Sequence, residues 1–306
     1  MRAVVIRRFG GPDALEIDEV PIPKPDRGQV RIRVCAAAVN AVDLAARAGF
    51  LVAGDVLSRA AIGIGCDVSG LVDAVGEDAG GFSPGDAVIG LRDQPGTSLG
   101  TYADYVVLER GAVAAAPKTV SLIESATLPL HGLSALQALD LLEPRPGATV
   151  LVTGLANATG GFVATEGYRV VVVGAKADEE LAKALGAEIF VSREVAFAEK
   201  VLAMVPGGVD AVLDTGFLGP HAVGAVASRG QFVVFASGAA PASVRGIRVV
   251  AVSARADGGG LAKLAGLVDD GVLELRAVDV FPLTKVAEAH ERFESARPRT
   301  QLVLNP

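Results

Sequence analysis

Thr149-Val-Leu-Val-Thr153 runs directly into Gly154-Leu-Ala-Asn157-Ala-Thr-Gly160-Gly161, and a second apolar run, Arg169-Val-Val-Val-Val173, follows shortly after. Unbroken Val/Leu runs of this length are the pattern of strands covered on both faces, as in a parallel sheet. Parallel neighbours need a crossover, and a glycine-lined turn opening a helix provides one. Such a turn presents bare backbone N–H groups and the positive end of a helix, which together hold a pyrophosphate. Glycine is required where a side chain would keep the phosphates at a distance. Gly154 and Gly160 stand at the two ends, with Asn157 where a middle glycine is expected. The alternative is an ordinary strand–helix turn that binds nothing.

Outward from this turn, strand and helix patterns alternate. Glu188–Val191, Val209–Asp214 and Gln231–Ala236 read as strands, with Glu179–Leu185 and Phe197–Val205 as helices between them. That alternation predicts an α/β fold with a doubly wound parallel sheet, the Rossmann arrangement. Upstream, Leu122–Leu141 has helical spacing, interrupted by Pro129. Before Ser121 the chain is β-rich. Ala3–Arg7, Gln29–Cys35 (alternating with period two), Gly70–Val75, Asp86–Ile89 and Tyr102–Leu108 are short strands joined by Gly/Pro turns. They suggest a small barrel. After Asp279 come a helix, Leu283–Ser295, and a last strand, Leu302–Leu304.

Composition narrows the function. The 306 residues are 51% hydrophobic but only 5% aromatic, so small aliphatic side chains build the core. The formal charge is −7, with no basic run, which argues against nucleic acid and anionic membrane surfaces. Cys35 and Cys66 are not spaced as a disulfide framework and read as reduced thiols of an intracellular protein. The start, Met1–Gly11, turns polar too soon for a signal peptide, and the uncharged stretch Gly147–Thr165 carries turn signals. A cytoplasmic protein with no membrane association is expected.

The second strand of the glycine unit ends in Val173-Gly174-Ala175-Lys176, with no acid before Asp178. An acid there would accept the ribose hydroxyls of NAD; Lys176 would instead neutralise a 2′-phosphate. NADPH is therefore the favoured cofactor, unless Lys176 is simply an exposed lysine.

Several further segments together resemble one family. They are Met1–Gly11 with Pro12, Ala37-Ala-Val-Asn40-Ala-Val-Asp43, Gly65-Cys-Asp-Val-Ser-Gly70, Phe82-Ser-Pro-Gly-Asp86, Gly100-Thr-Tyr-Ala-Asp-Tyr105 and Ala126–Ala135. With Val150–Gly161, Gly186-Ala187, Gly208-Val-Asp210 and Asp214, they make the chain similar to the zinc-independent quinone-oxidoreductase (zeta-crystallin-like) branch of the medium-chain dehydrogenases/reductases. The resemblance implies a GroES-like β-barrel domain from 1–120 and 280–306, a Rossmann domain over 121–279, and nicotinamide and substrate held between them. It implies a homodimer, and Ile247–Val252 is an apolar segment suited to edge pairing.

Zinc-dependent relatives carry Cys at the position of Asn40, His at that of Cys66, and a four-cysteine lobe where this chain reads Arg92–Leu99. The resemblance thus implies that no metal is bound. Taken with the glycine turn and the strand end above, the cofactor-binding residues expected are Asn40, Thr127, Gly154, Asn157, Ala158, Thr159, Gly160, Gly174, Lys176 and Ser237. The chain departs from the family at Asn157, usually glycine, and from Gly154 to Val170 it is about four residues shorter, about one helical turn.

Hydride transfer without a metal needs a donor that polarises the substrate carbonyl. Asn40 fits that role by resemblance, with Asp43 orienting it; both could instead cap the helical turn that follows. His131 stands where relatives usually have a small residue, as a proton donor or as a structural histidine. His290 lies on an amphipathic helix and is expected at the surface. The expected activity is NADPH-dependent reduction of a quinone or an α,β-unsaturated ketone, with a small apolar carbonyl substrate. The competing expectation is a non-redox enzyme or binding protein on the same fold with a degraded cofactor site.

Overall fold

Valine and leucine dominate the strands that carry the glycine turn, and in the folded chain those strands are covered on both faces. The computed structural model describes residues 1–50, 61–94, 97–142, 145, 147–154, 163, 167–194, 196–235, 240–296 and 300–306. The strands are β1 (Arg2–Ile6), β2 (Glu16–Glu19), β3 (Gln29–Ala38), β4 (Ile62–Gly63), β5 (Asp67–Val75), β6 (Ala87–Leu91), β7 (Tyr105–Glu109) and β8 (Val113–Ala115). They continue with β9 (Thr149–Thr153), β10 (Arg169–Gly174), β11 (Ile189–Ser192), β12 (Val209–Asp214), β13 (Val226–Val234), β14 (Arg248–Ala251), β15 (Val278–Pro282) and β16 (Gln301–Asn305). The helices are α1 (Ala41–Ala48), α2 (Leu122–Ser125), α3 (Pro129–Leu142), α4 (Glu179–Ala184), α5 (Phe197–Met204), α6 (Pro220–Val223), α7 (Gly258–Asp269) and α8 (Val286–Ala296).

The chain divides into two compact units. One comprises Met1–Leu130, Arg255–Gly271 and Leu275–Pro306, the other His131–Ala254 and Val272–Glu274. In the second, six strands form one sheet in the order β11-β10-β9-β12-β13-β14, every neighbouring pair parallel. This is the Rossmann order, and chain direction across the sheet reverses between β9 and β12. Every residue of β9 is buried, and β10 is buried from Val170 to Gly174.

In the first unit β3 is the hub. It lies between β5 and β16 in the sheet β15-β16-β3-β5-β6-β8 and also pairs with β7. The alternation read over Gln29–Cys35 holds as far as Val34, after which Ala36–Ala38 are wholly buried. The tail strand β16 lies antiparallel to this end, with Val303 opposite Ala38 and Leu304 opposite Ala37. Pro129 does not interrupt a single helix: it opens α3, where its missing N–H would be unpaired in any case.

Two elements escaped the sequence pattern. Helix α7 begins Gly258-Gly-Gly, which reads as loop, yet the Asp257 carboxylate accepts from Gly259 N at 2.9 Å and caps it. It packs against β8 in the first unit, so that unit includes 255–271, a stretch the sequence reading placed in 121–279. His290 is not at the surface: it is fully buried in α8. Among the described residues, no helix is long and apolar enough to cross a membrane.

Candidate active site

Chain geometry at the end of β3 sets up a buried polar cluster. Asn40 is the N-cap of α1, and Gly49, at φ +88°, closes that helix in the left-handed conformation. The Asp43 carboxylate accepts from the Asn40 backbone N–H at 2.8 Å, so one role expected of this pair, capping, is present. The Asn40 side chain, however, points elsewhere. Its Nδ2 donates to Asp67 Oδ2 at 2.7 Å, with longer contacts to Ala38 O at 3.4 Å and Cys66 Sγ at 3.9 Å. Gln301 Nε2, from β16, donates to Val39 O at 3.0 Å and approaches Asn40 Oδ1 at 3.5 Å. The amide of Asn40 is thus fixed from three strands.

Both carboxylates in this cluster are sealed from water. Asp67 is 0% exposed and accepts from Leu130 N at 2.6 Å as well as from Asn40. Burial raises its pKa to about 8, and the nearby Asp43 adds to the rise. Asp43 accepts from Tyr102 Oη at 2.9 Å and from Cys66 Sγ at 3.4 Å. Burial raises it to about 6, while its hydrogen bonds hold it below Asp67. Burial and the two carboxylates push the Cys66 thiol well above its ordinary range. Burial thus raises both carboxyls, and Asp67, with fewer hydrogen bonds to its charged form, is raised further than Asp43.

The cluster continues away from Asn40. The Tyr102 ring meets His290 edge-on, with centroids 5.9 Å apart. His290 Nδ1 lies 3.1 Å from the guanidinium of Arg47, a side chain that also bonds Gly10 O and pairs with Glu294. Burial, followed by the Arg47 charge, lowers the His290 pKa to about 3. His290 is a neutral internal acceptor. Its helical pattern could not reveal this, because its partner is distant in sequence.

The remaining predicted residues are dispersed. Thr127 is buried, and its hydroxyl donates to Glu124 O at 2.8 Å. His131 is half-buried in the first turn of α3, directly after the Leu130 N–H that holds Asp67. In the second unit, Gly154 follows β9 at φ +76°, and a Cβ there would lie 3.2 Å from Gly216 Cα. The loop after β12 is tied to this point. Thr153 Oγ1 donates to Asp214 at 2.5 Å, Thr215 Oγ1 donates to Thr153 O at 2.5 Å, and Gly216 N donates to Thr153 Oγ1 at 3.0 Å. Asn157, Ala158, Thr159, Gly160 and Ser237 lie outside the described residues.

At the next strand end, Gly174 pairs in register with Ser192, and Arg193 N donates to Gly174 O at 2.7 Å. Lys176 and Arg193 are exposed there, and neither forms an ion pair among the described residues, whereas Glu194 is held by Lys200 at 3.0 Å. Arg193 was missed in the sequence because it lies beyond β11, and only strand pairing brings it beside Gly174.

Residues 26–118 match the family described as "Alcohol dehydrogenase GroES-like domain", and 185–304 match "Zinc-binding dehydrogenase". The chain is 28% identical to an Arabidopsis thaliana "NADPH-dependent alkenal/one oxidoreductase, chloroplastic", over all of this chain and 80% of that protein. It is 29% identical to a Pongo abelii "Quinone oxidoreductase", over 95% of this chain and 93% of the other. A solved structure described as an NAD-dependent alcohol dehydrogenase superposes over the full length of both chains, with a TM-score of 0.85 and 31% identity. The chain belongs to the quinone-oxidoreductase branch of the medium-chain dehydrogenase/reductase superfamily. It is an oxidoreductase.

For a member of this superfamily, the residues present fit a nicotinamide dinucleotide. The space beside Gly154 admits no side chain without crowding Gly216, and two exposed cations, Lys176 and Arg193, stand at the ends of β10 and β11. The described residues hold no group of three or more His, Cys, Asp or Glu placed to share a metal ion.

Proposed function

We propose that this oxidoreductase uses NADPH to reduce a small, apolar α,β-unsaturated ketone or quinone. The observation that carries the cofactor choice is the pair Lys176 and Arg193, two exposed cations at the strand ends beside Gly174, where a 2′-phosphate would be matched by charge. The cofactor, when bound, supplies the hydride. Gly154 and the turn after β9, with Asn157, Ala158, Thr159 and Gly160, would hold the diphosphate, and Thr127 and Ser237 belong to the nicotinamide half of the site.

Asn40 is the group assigned to the substrate oxygen. One of its amide hydrogens is committed to Asp67 at 2.7 Å, and the other has only the long contacts to Ala38 and Cys66, so it is the donor left to polarise a carbonyl. Asp43 fixes the backbone beneath it. His131 delivers the proton that completes the two-electron reduction. No step uses a metal. Two copies pair through β14, the edge strand of the Rossmann sheet, and the reduced cysteines suit a cytoplasmic protein.

The test is a titration of NADPH and NADH by cofactor fluorescence, followed by turnover with a para-quinone and an enone. Lys176→Ala is expected to weaken NADPH about 10-fold more than NADH, the value of one charge-assisted contact. Equal losses for both cofactors would remove Lys176 from the phosphate, and no binding of either would end the redox reading.

A further inference from the structure

The loop after β12 contains a residue that folding alone does not explain. Phe217 has φ +54°, a region that L-residues with bulky side chains enter at a cost, and it is 49% exposed. Its neighbour Leu218 packs against the core of the second unit, while Phe217 is not among the residues that do so. The loop is over-determined around it. Asp214 accepts from Leu218 N at 2.9 Å and Gly219 N at 2.7 Å, and Gly216 is held to Thr153. The fold thus forces an aromatic ring outward in a strained backbone. Strain of this kind that the surroundings sustain is characteristic of ligand clamps.

Position identifies the ligand. Phe217 stands at the carboxyl ends of the strands, beside the point where the sheet order reverses, which is where open parallel sheets bind ligands. Gly154 and Gly216 are close enough that a Cβ on Gly154 would lie 3.2 Å from Gly216 Cα. In strand order, the loop that carries Phe217 follows β12 on one side of β9, and Lys176 and Arg193 follow β10 and β11 on the other. Gly174 and Asp214 end the strands flanking β9, two strand spacings or roughly 10 Å apart. A nucleoside attached to a diphosphate over Gly154 and carrying a 2′-phosphate spans this interval and lays its base against an apolar, planar surface. The geometry points to Phe217 as the stacking platform for the adenine ring of the dinucleotide. This assignment rests on the cofactor reading above and adds a recognition residue to it.

The experiment uses the full chain and calorimetric titration with NADPH and with 2′,5′-ADP, which carries the adenine half alone. Wild-type protein is compared with Phe217→Gly and Phe217→Tyr. Phe217→Gly should raise the melting temperature, since glycine occupies positive φ freely, and should weaken 2′,5′-ADP and NADPH about 10-fold, as loss of one stacked base does. Phe217→Tyr, which keeps the ring, should bind both ligands as the wild type does. A glycine variant that binds 2′,5′-ADP at wild-type strength overturns the assignment while leaving the cofactor reading in place. So does a loss of NADPH binding without loss of 2′,5′-ADP. A wild-type chain that binds neither ligand overturns both.

Discussion

Asp67 in the first unit and Asp214 in the second are both 0% exposed, and the two do opposite things. Asp214, in the second unit, accepts from the Thr153 hydroxyl, Leu218 N and Gly219 N, all belonging to its own loop or the adjacent strand end. It builds a rigid turn. Asp67, in the first unit, has two donors, Asn40 Nδ2 and Leu130 N, and burial raises its pKa to about 8. One carboxylate is a structural strut; the other holds the side chain assigned to the substrate. Depth of burial does not separate these roles. Number and origin of hydrogen-bond donors do.

Removing the strut should have the largest effect. Asp214→Ala strands three buried donors and is expected to lower the stability of the second unit by about 4 kcal/mol, read from its urea transition. A change under about 1 kcal/mol would erase the distinction. Asp67→Asn should act in the other direction. A carboxyl whose pKa is raised by folding contributes stability at low pH that is lost as pH climbs from about 4 to about 8. The asparagine variant gives up one acceptor at every pH but lacks that pH-dependent loss, so the wild type should fall relative to it by about 3.5 kcal/mol between pH 5 and pH 8. Parallel curves would mean that Asp67 is not the proton-bearing group.

His290 gives the smallest effect and extends the contrast within the first unit. Its folded-state pKa is depressed to about 3, so its stability is present above the unfolded value of about 6.5 and is lost as pH falls below it. His290→Gln should therefore lose about 1 kcal/mol less than the wild type between pH 7 and pH 5.5. Thermal melts at those two pH values decide it, and identical shifts would place the titrating group elsewhere.

How much of this was legible depends on the range of the interactions involved. The Rossmann unit was readable because period and composition are local: the Val-rich runs at 150–152 and 170–173 declare buried strands, and Gly154 marks the turn. The place of Lys176 in the fold, two residues past a strand end, was readable for the same reason. Arg193 and Phe217 were not, since one needs the β10–β11 register and the other a backbone angle. Helix α7 was hidden by its three glycines, whose loop-like composition is overridden by the Asp257 cap and packing on β8.

By itself the sequence determined an α/β fold with a glycine turn between parallel strands, because those features repeat over a few neighbouring residues, while the oxidoreductase reading came from the motifs shared with a family. Only the tertiary structure decided that Asn40 is gripped by Asp67 and approached by Gln301, that His290 is internal to α8, and that Phe217 faces outward. Each of those facts depends on burial, on backbone conformation or on partners tens to hundreds of positions away, and no local period records them.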